Sequence, residues 1–247
     1  MKIALFGGTF DPVHKGHLAI AQAAVERFGI GLVYFVPAIV PPHKQGRDLT
    51  EFYHRYAMLA LATADHQRFV PSLLEAGTDG PNYSIDTVRR LKKKLKKSDE
   101  LYFLIGIDAF LDLSTWRQPV ELLSECDFIV ASRPGYSLAD VGRALPEALR
   151  PGRAELAVLR RKKNSGSIVL PSTTLHLLGN VKQNVSSTRV RVAAKKAGVQ
   201  LDQLVHAAVA RYIRKQQLYA ARPLVREKQS VNAAKVLSFD RESQQKP

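Results

Sequence analysis

The chain has 247 residues, with 37 Lys or Arg against 22 Asp or Glu, and a formal charge of +15. An apolar share of 45% is that of a globular protein, which excludes a disordered chain and allows one large domain or a domain with appendages. Apolar runs all fall short of the ~20 residues that span a bilayer, and one cysteine, Cys126, cannot form an internal disulfide, so a soluble protein of the reducing cytoplasm is expected.

Val- and Ile-rich runs alternate with helix-period segments, the pattern of an α/β chain with a parallel sheet. Ile3 to Phe6 predicts a buried strand that runs straight into Gly7-Gly8, with too short an apolar core for a secretory leader. A helix from about Lys15 to Phe28 carries Leu18, Ala21, Val25 and Phe28 at helical spacing. Leu32 to Val36 is a second strand, and Pro41-Pro42 forces an extended loop after it. Thr50 is placed as the N-cap of a helix reaching about Ala64, and Phe69 to Leu74 as a short strand. Ser84 is placed as the cap of the next helix, whose Ile85, Val88, Leu91 and Leu95 form a stripe.

Strands follow at Leu101 to Ile105, Phe128 to Ala131 and Thr174 to Leu178. Between the last two, residues 142–166 give a weak helical signal and a basic turn, expected as a surface insertion. Ser186 opens a helix to about Ala197, and Ala208, Val209, Tyr212 and Ile213 mark a final amphipathic one. Residues 1–219 therefore form the expected domain, and 220–247 a flexible basic tail.

Arg89 to Lys97 packs seven cations into nine residues, and Arg160-Arg161-Lys162-Lys163 makes a second cluster. Such runs fit either a solvated face or an anion-binding surface. No aromatics are interleaved, so the stacking part of single-strand nucleic-acid binding is missing, and nucleic acid is not the expected partner.

The chemistry concentrates in Gly7-Gly8-Thr9-Phe10-Asp11-Pro12-Val13-His14-Lys15-Gly16-His17, between the first strand and the first helix. Ligands of parallel sheets sit at the carboxyl ends of strands, and glycines allow the backbone close approach. His14 and His17, three apart, fall on neighbouring points of one helix face, where the dipole and free amides favour an anion. The alternatives are a satisfied structural pair or a metal site, and no cysteine or third histidine stands nearby. The string is neither the dinucleotide fingerprint nor a phosphate loop ending in Gly-Lys-Ser/Thr. Asp11-Pro12 reads equally as a plain turn or as support for the site. Ser186-Ser187-Thr188 presents hydroxyls to a phosphate or makes an ordinary N-cap. Trp116 fits a core or a ligand wall, and Arg133 an anion contact or a turn cation.

The eleven-residue string resembles the HxGH nucleotidyltransferases, and within them the bacterial nicotinate-nucleotide adenylyltransferases. Pro41-Pro42-His43-Lys44 is similar to the family's basic loop, and Gly80-Pro81-Asn82-Tyr83-Ser84-Ile85-Asp86-Thr87 resembles its Ser-Tyr-Thr-x-Asp-Thr segment, with Asn82 and Ser84 as departures. Leu104-Ile105-Gly106-Ile107-Asp108 with Trp116, Val185-Ser186-Ser187-Thr188-Arg189-Val190-Arg191, and Tyr212 to Tyr219 complete the ordered matches.

The resemblance implies a Rossmann-like, doubly wound parallel sheet with a small C-terminal helical part. It implies that nicotinate mononucleotide attacks ATP to give deamido-NAD and pyrophosphate, in NAD biosynthesis. His14, His17, Lys44 and Arg191 are then the catalytic set. Gly7, Gly8, Thr9, Phe10, Gly106, Asp108, Ser186, Ser187 and Thr188 join His17 and Arg191 around ATP. Lys44, Tyr83, Ser84, Trp116 and Arg133 hold the mononucleotide, and backbone amides near Tyr83 and Ser84 read the pyridine carboxylate. Mg²⁺ is expected on the ATP phosphates, with no protein-ligated metal. A membrane partner is not expected, and a homo-oligomer is left open. The rivals are a nicotinamide or dual-specificity adenylyltransferase, another HxGH enzyme, or a nucleic-acid-binding regulator on this fold. Pantetheine enzymes usually carry Thr where this chain has His14.

Overall fold

The computed structural model describes residues 1–40, 49–77, 80–132, 135–161, 165–179, 181, 185–196 and 201–220. Among the described residues, seven strands form one sheet: β1 (Lys2–Gly8), β2 (Leu32–Pro37), β3 (Phe69–Pro71), β4 (Glu100–Gly106), β5 (Asp127–Ala131), β6 (Ser165–Val169) and β7 (Thr174–Leu178). Their order is β3-β2-β1-β4-β5-β7-β6. All neighbours pair in parallel except β6, which runs antiparallel to β7. The strand order reverses between β1 and β4, so the crevice of this doubly wound sheet opens beyond Gly8 and Gly106.

Helices cover both faces because the strands are apolar on both. Ala4, Phe6, Phe35, Leu104 and Ile129 face one side, against α1 (Lys15–Phe28) and α2 (Phe52–Thr63). The C-terminal helices α8 (Ser187–Ala194) and α9 (Ala207–Lys215) add Val190, Val209 and Ile213 to that layer. Ile3, Leu5, Phe103, Ile105, Phe128 and Val130 face the other side. There they meet α3 (Ser84–Lys92), α4 (Ile107–Phe110), α5 (Pro119–Glu125) and α6 (Leu138–Ala144). Each large side chain fully buried this way contributes about 1.5–3 kcal/mol.

The lysine run behaves as a solvated face. Ile85, Val88 and Leu91 are buried beneath α3, while Lys93, Lys94, Lys96 and Lys97 are exposed. Arg89 and Lys92 both reach Glu125 of α5, at 2.7 and 3.0 Å.

Two cap assignments change: Ser84 is the first residue of α3, and Tyr83 occupies its N-cap position. Thr50 does not cap α2: Glu51 occupies the N-cap position, while the Thr50 carbonyl accepts from Arg55 Nε at 2.8 Å. Residues 142–166, expected as a surface insertion with a weak helical signal, are mostly exposed but carry regular structure. They carry α7 (Arg153–Arg161), which buries Leu159, and they lead into the antiparallel strand β6, which buries Ile168. The expected tail lies outside the described residues beyond Ala220.

Candidate active site

β1 delivers the chain to a tight loop that ends at His14, the N-cap of α1. Along it, Phe10 takes the left-handed φ of 47° and the Asp11–Pro12 bond is cis. The Phe10 ring is buried, packed edge-on to Phe6 at 5.6 Å and to His17 at 4.9 Å. His14 and His17 stack face to face, with ring centroids 3.6 Å apart. The His14 backbone N–H donates to His17 Nδ1 at 3.2 Å. An imidazole whose Nδ1 accepts a hydrogen bond carries its proton on Nε2, so His17 has a donor at its far edge.

Not every amide at this helix start is open to a ligand. The His14 N–H is held by His17, and the Lys15 N–H donates to the Leu204 carbonyl at 2.9 Å. Gly16 leaves room beside them: a Cβ there would sit 3.0 Å from His14 Nδ1 and Cε1, so the ring would have to shift.

Asp11 organises the floor of the loop. It is buried, and its Oδ1 accepts from Tyr219 Oη at 2.6 Å. Its Oδ2 takes a long bond from the Thr50 N–H, at 3.4 Å. The Asp11 carbonyl accepts from Arg191 Nη1 at 2.7 Å, and the next carbonyl, of Pro12, accepts from Ser187 Oγ at 3.0 Å. Arg55, only 1% exposed, donates to the Thr9 carbonyl at 2.7 Å as well as to Thr50. Burial lowers the pKa of its guanidinium, and the charge of Asp11 is the largest influence opposing that shift. Burial likewise pushes the Tyr219 hydroxyl far above its ordinary range, with Asp11 adding to the shift.

Two cavities open on this loop and meet at Gly7, Gly8, Gly106 and Ala109. The larger, about 370 Å³, is lined by Phe10, His14, His17, Asp108, Ser186 and Ser187, among others. The smaller, about 270 Å³, is walled by Thr9, Asn82, Tyr83, Ser84, Phe103 and Trp116, with Glu75 and Arg117. Trp116 stands edge-on to Phe103, with ring centroids 6.4 Å apart.

The structure thus gathers most of the residues picked from the sequence at one crevice. Thr9 falls in the smaller cavity rather than the larger. Thr188 and Arg191 line neither cavity, because the Arg191 guanidinium holds the Asp11 carbonyl and the Thr188 hydroxyl. Lys44, Arg133 and the Pro41-Pro42-His43-Lys44 loop lie outside the described residues. Among the described residues, no group of three His, Cys, Asp or Glu could hold a metal ion, and no helix is long and apolar enough to cross a membrane.

Sequence reasoning missed Arg55, Glu75 and Arg117. Arg55 had a visible signal: it shares the helical stripe of Met58, Leu59 and Ala62, where an arginine is out of place. Glu75 is buried, and its Oε1 accepts from Thr87 Oγ1 at 2.5 Å. Burial raises its carboxyl above the ordinary glutamate value, against the lowering effects of Thr87, Arg90, the Ile39 backbone and Arg55.

The cytidylyltransferase-like family model matches residues 5–193. A probable nicotinate-nucleotide adenylyltransferase of Geobacter sulfurreducens is 38% identical over 220 residues, which cover 89% of this chain and 99% of that protein. One of Solibacter usitatus is 47% identical over 137 residues, 56% of this chain and 72% of that protein. Among solved structures, a Plasmodium falciparum nicotinic acid mononucleotide adenylyltransferase complexed with NaAD superposes with a TM-score of 0.64. It shares 20% identity over 88% of this chain and 97% of that one, a likeness of fold. The chain belongs to the cytidylyltransferase-like family and, within it, to the nicotinate-nucleotide adenylyltransferases.

Proposed function

We propose that the two cavities divide the substrates of nicotinate-nucleotide adenylyl transfer, ATP in the larger and nicotinate mononucleotide in the smaller. In the reaction, a phosphate oxygen of the mononucleotide forms a bond to the α-phosphorus of ATP. The bridging bond to the β-phosphate breaks, and pyrophosphate leaves. Deamido-NAD remains. The observation that carries the division is the meeting of both cavities at Gly7, Gly8 and Gly106, where the strand order reverses.

Little covalent help from the protein is needed for such a transfer; positioning and charge stabilisation supply the acceleration. His17 offers its Nε2 proton at the start of α1, where the helix dipole already favours a phosphate. His14, stacked on it, fixes the ring plane and adds a second imidazole to the same wall. Ser186 and Ser187 bring the start of α8 to the lining of the same cavity, as an anchor for the triphosphate. Arg191 supports this arrangement through the Asp11 carbonyl, and Lys44 is kept in the proposal as a further phosphate charge. In the smaller cavity, the Trp116 ring offers a wall for the pyridine, and the first amides of α3 at Tyr83 and Ser84 offer donors to its carboxylate.

A divalent cation carried on the triphosphate belongs to this reading, because phosphate oxygens are the hard ligands that Mg²⁺ prefers. Such a Mg²⁺ ion would neutralise phosphate charge. The test is pyrophosphate release from ATP and Mg²⁺ with either nicotinate or nicotinamide mononucleotide. Preference for the acid supports the proposal; equal rates or preference for the amide would move the chain to the dual-specificity or nicotinamide reading.

A further inference from the structure

The acid and the amide of the pyridine ring have nearly the same size, so a pocket can separate them only by charge and hydrogen bonding. Backbone donors alone do this incompletely, because the carbonyl oxygen of an amide also accepts. Beyond Tyr83, the titratable groups on the wall of the smaller cavity are Glu75 and Arg117, of opposite sign. Glu75 is buried and bonded to Thr87, and burial favours its neutral form. Arg117 is the one cation among the wall's described residues, and its guanidinium carbon lies 4.7 Å from the centre of the Tyr83 ring. No carboxylate partners it among the described residues.

The backbone around Arg117 is fixed from both sides. The short 3₁₀ turn Leu113–Thr115 ends at Trp116, whose N–H donates to the Leu113 carbonyl at 3.0 Å. Gln118 then takes a left-handed φ of 50°, and Pro119 opens α5. Such backbone strain in a non-glycine residue costs about 1–3 kcal/mol, and functional sites are where it is commonly retained. Here it holds Trp116 and Arg117 side by side on the cavity wall.

We infer that Arg117 is a specificity-determining residue: its guanidinium, propped on the Tyr83 ring, supplies the positive charge that selects a pyridine carboxylate over a carboxamide. The inference rests on the substrate division proposed above. An arginine over an aromatic face keeps its in-plane N–H groups available to a carboxylate. Charge-assisted hydrogen bonds are roughly twice as strong as neutral ones.

The experiment compares wild type, Arg117→Ala and Arg117→Lys by titration with each mononucleotide. Trp116, the single tryptophan of the chain, serves as the fluorescent probe, and pyrophosphate release gives the kinetics. Removing the side chain should weaken nicotinate mononucleotide about 10- to 100-fold, in Kd and KM, with kcat little changed. Binding of nicotinamide mononucleotide and the KM for ATP should move by no more than about 2-fold, and lysine should restore part of the loss. Equal weakening of both mononucleotides would assign Arg117 to their shared phosphate, and no weakening would leave it a surface cation; either overturns the inference. Wild type that binds neither mononucleotide would instead overturn the substrate division.

Discussion

Tyr219 Oη donates a 2.6 Å hydrogen bond to Asp11 Oδ1, so the turn that follows α9 holds the loop that follows β1. Tyr219 itself takes a left-handed φ of 64° to reach it. Hydrogen bonds to charged groups contribute about 1.5–3 kcal/mol. Tyr219→Phe should therefore lower the unfolding free energy by about that amount, read by urea denaturation. Its KM values should also rise, because the loop carries His14. Unchanged stability and kinetics would show that the Asp11 turn holds without its C-terminal partner.

Gly16 leaves room for the His14 ring, and an added Cβ would lie 3.0 Å from two of its atoms and 3.3 Å from the Val185 carbonyl. Gly16→Ala should displace the imidazole and cut kcat by about 10-fold or more, since misplacement of 1 Å can cost on the order of 100-fold. Its thermal midpoint should shift far less than its rate. A variant with wild-type kcat would mean that the position of His14 does not matter to turnover.

Arg55 is buried and donates to the carbonyls of Thr9 and Thr50. Arg55→Met would leave those acceptors and the Asp11 carboxylate without their cation. Removing one member of a buried charge network costs about 3–5 kcal/mol, and denaturant titration of the variant should show a loss of that order. A loss below about 1 kcal/mol would make Arg55 a dispensable packing residue.

Glu75 gives a pH signature. Its folded-state pKa lies above the ordinary value of 4.5, because burial disfavours the charged form. The folded state therefore binds this proton more tightly than the unfolded state. The resulting stability is present below about pH 4.5 and is lost as pH rises through the folded value. Glu75→Gln keeps a neutral side chain at all pH values, so the stability of the variant relative to wild type should increase as pH rises from about 4.5 to 8. A difference that stays flat or shrinks over that range would contradict the shift.

Much of the fold was legible in the sequence because its strands are short apolar runs ending at glycine, as at Phe6-Gly7-Gly8 and Ile105-Gly106. The imidazole pair was legible for the same reason: residues three apart on one helix stay neighbours wherever the helix goes. Strand β6 was hidden because, among its described side chains, only Ile168 is buried, too little for a strand signal. The polar support of the site was hidden by distance along the chain. Asp11 meets Tyr219 across 208 positions and Arg191 across 180, and no local periodicity records such pairings. Thr50 misled because a threonine before a helix usually caps it, whereas here tertiary partners claim its backbone.

In the proposed function, the stacked His14–His17 pair stabilises charge at the α-phosphate of a bound triphosphate. The most direct measurement is steady-state pyrophosphate release by His17→Ala, with folding checked by thermal denaturation and mononucleotide binding by Trp116 fluorescence. Removing one preorganised donor of this kind costs about 100- to 1000-fold in kcat, and that loss, with fold and mononucleotide binding intact, is the predicted result. A folded His17→Ala protein that turns over at the wild-type rate would contradict the account.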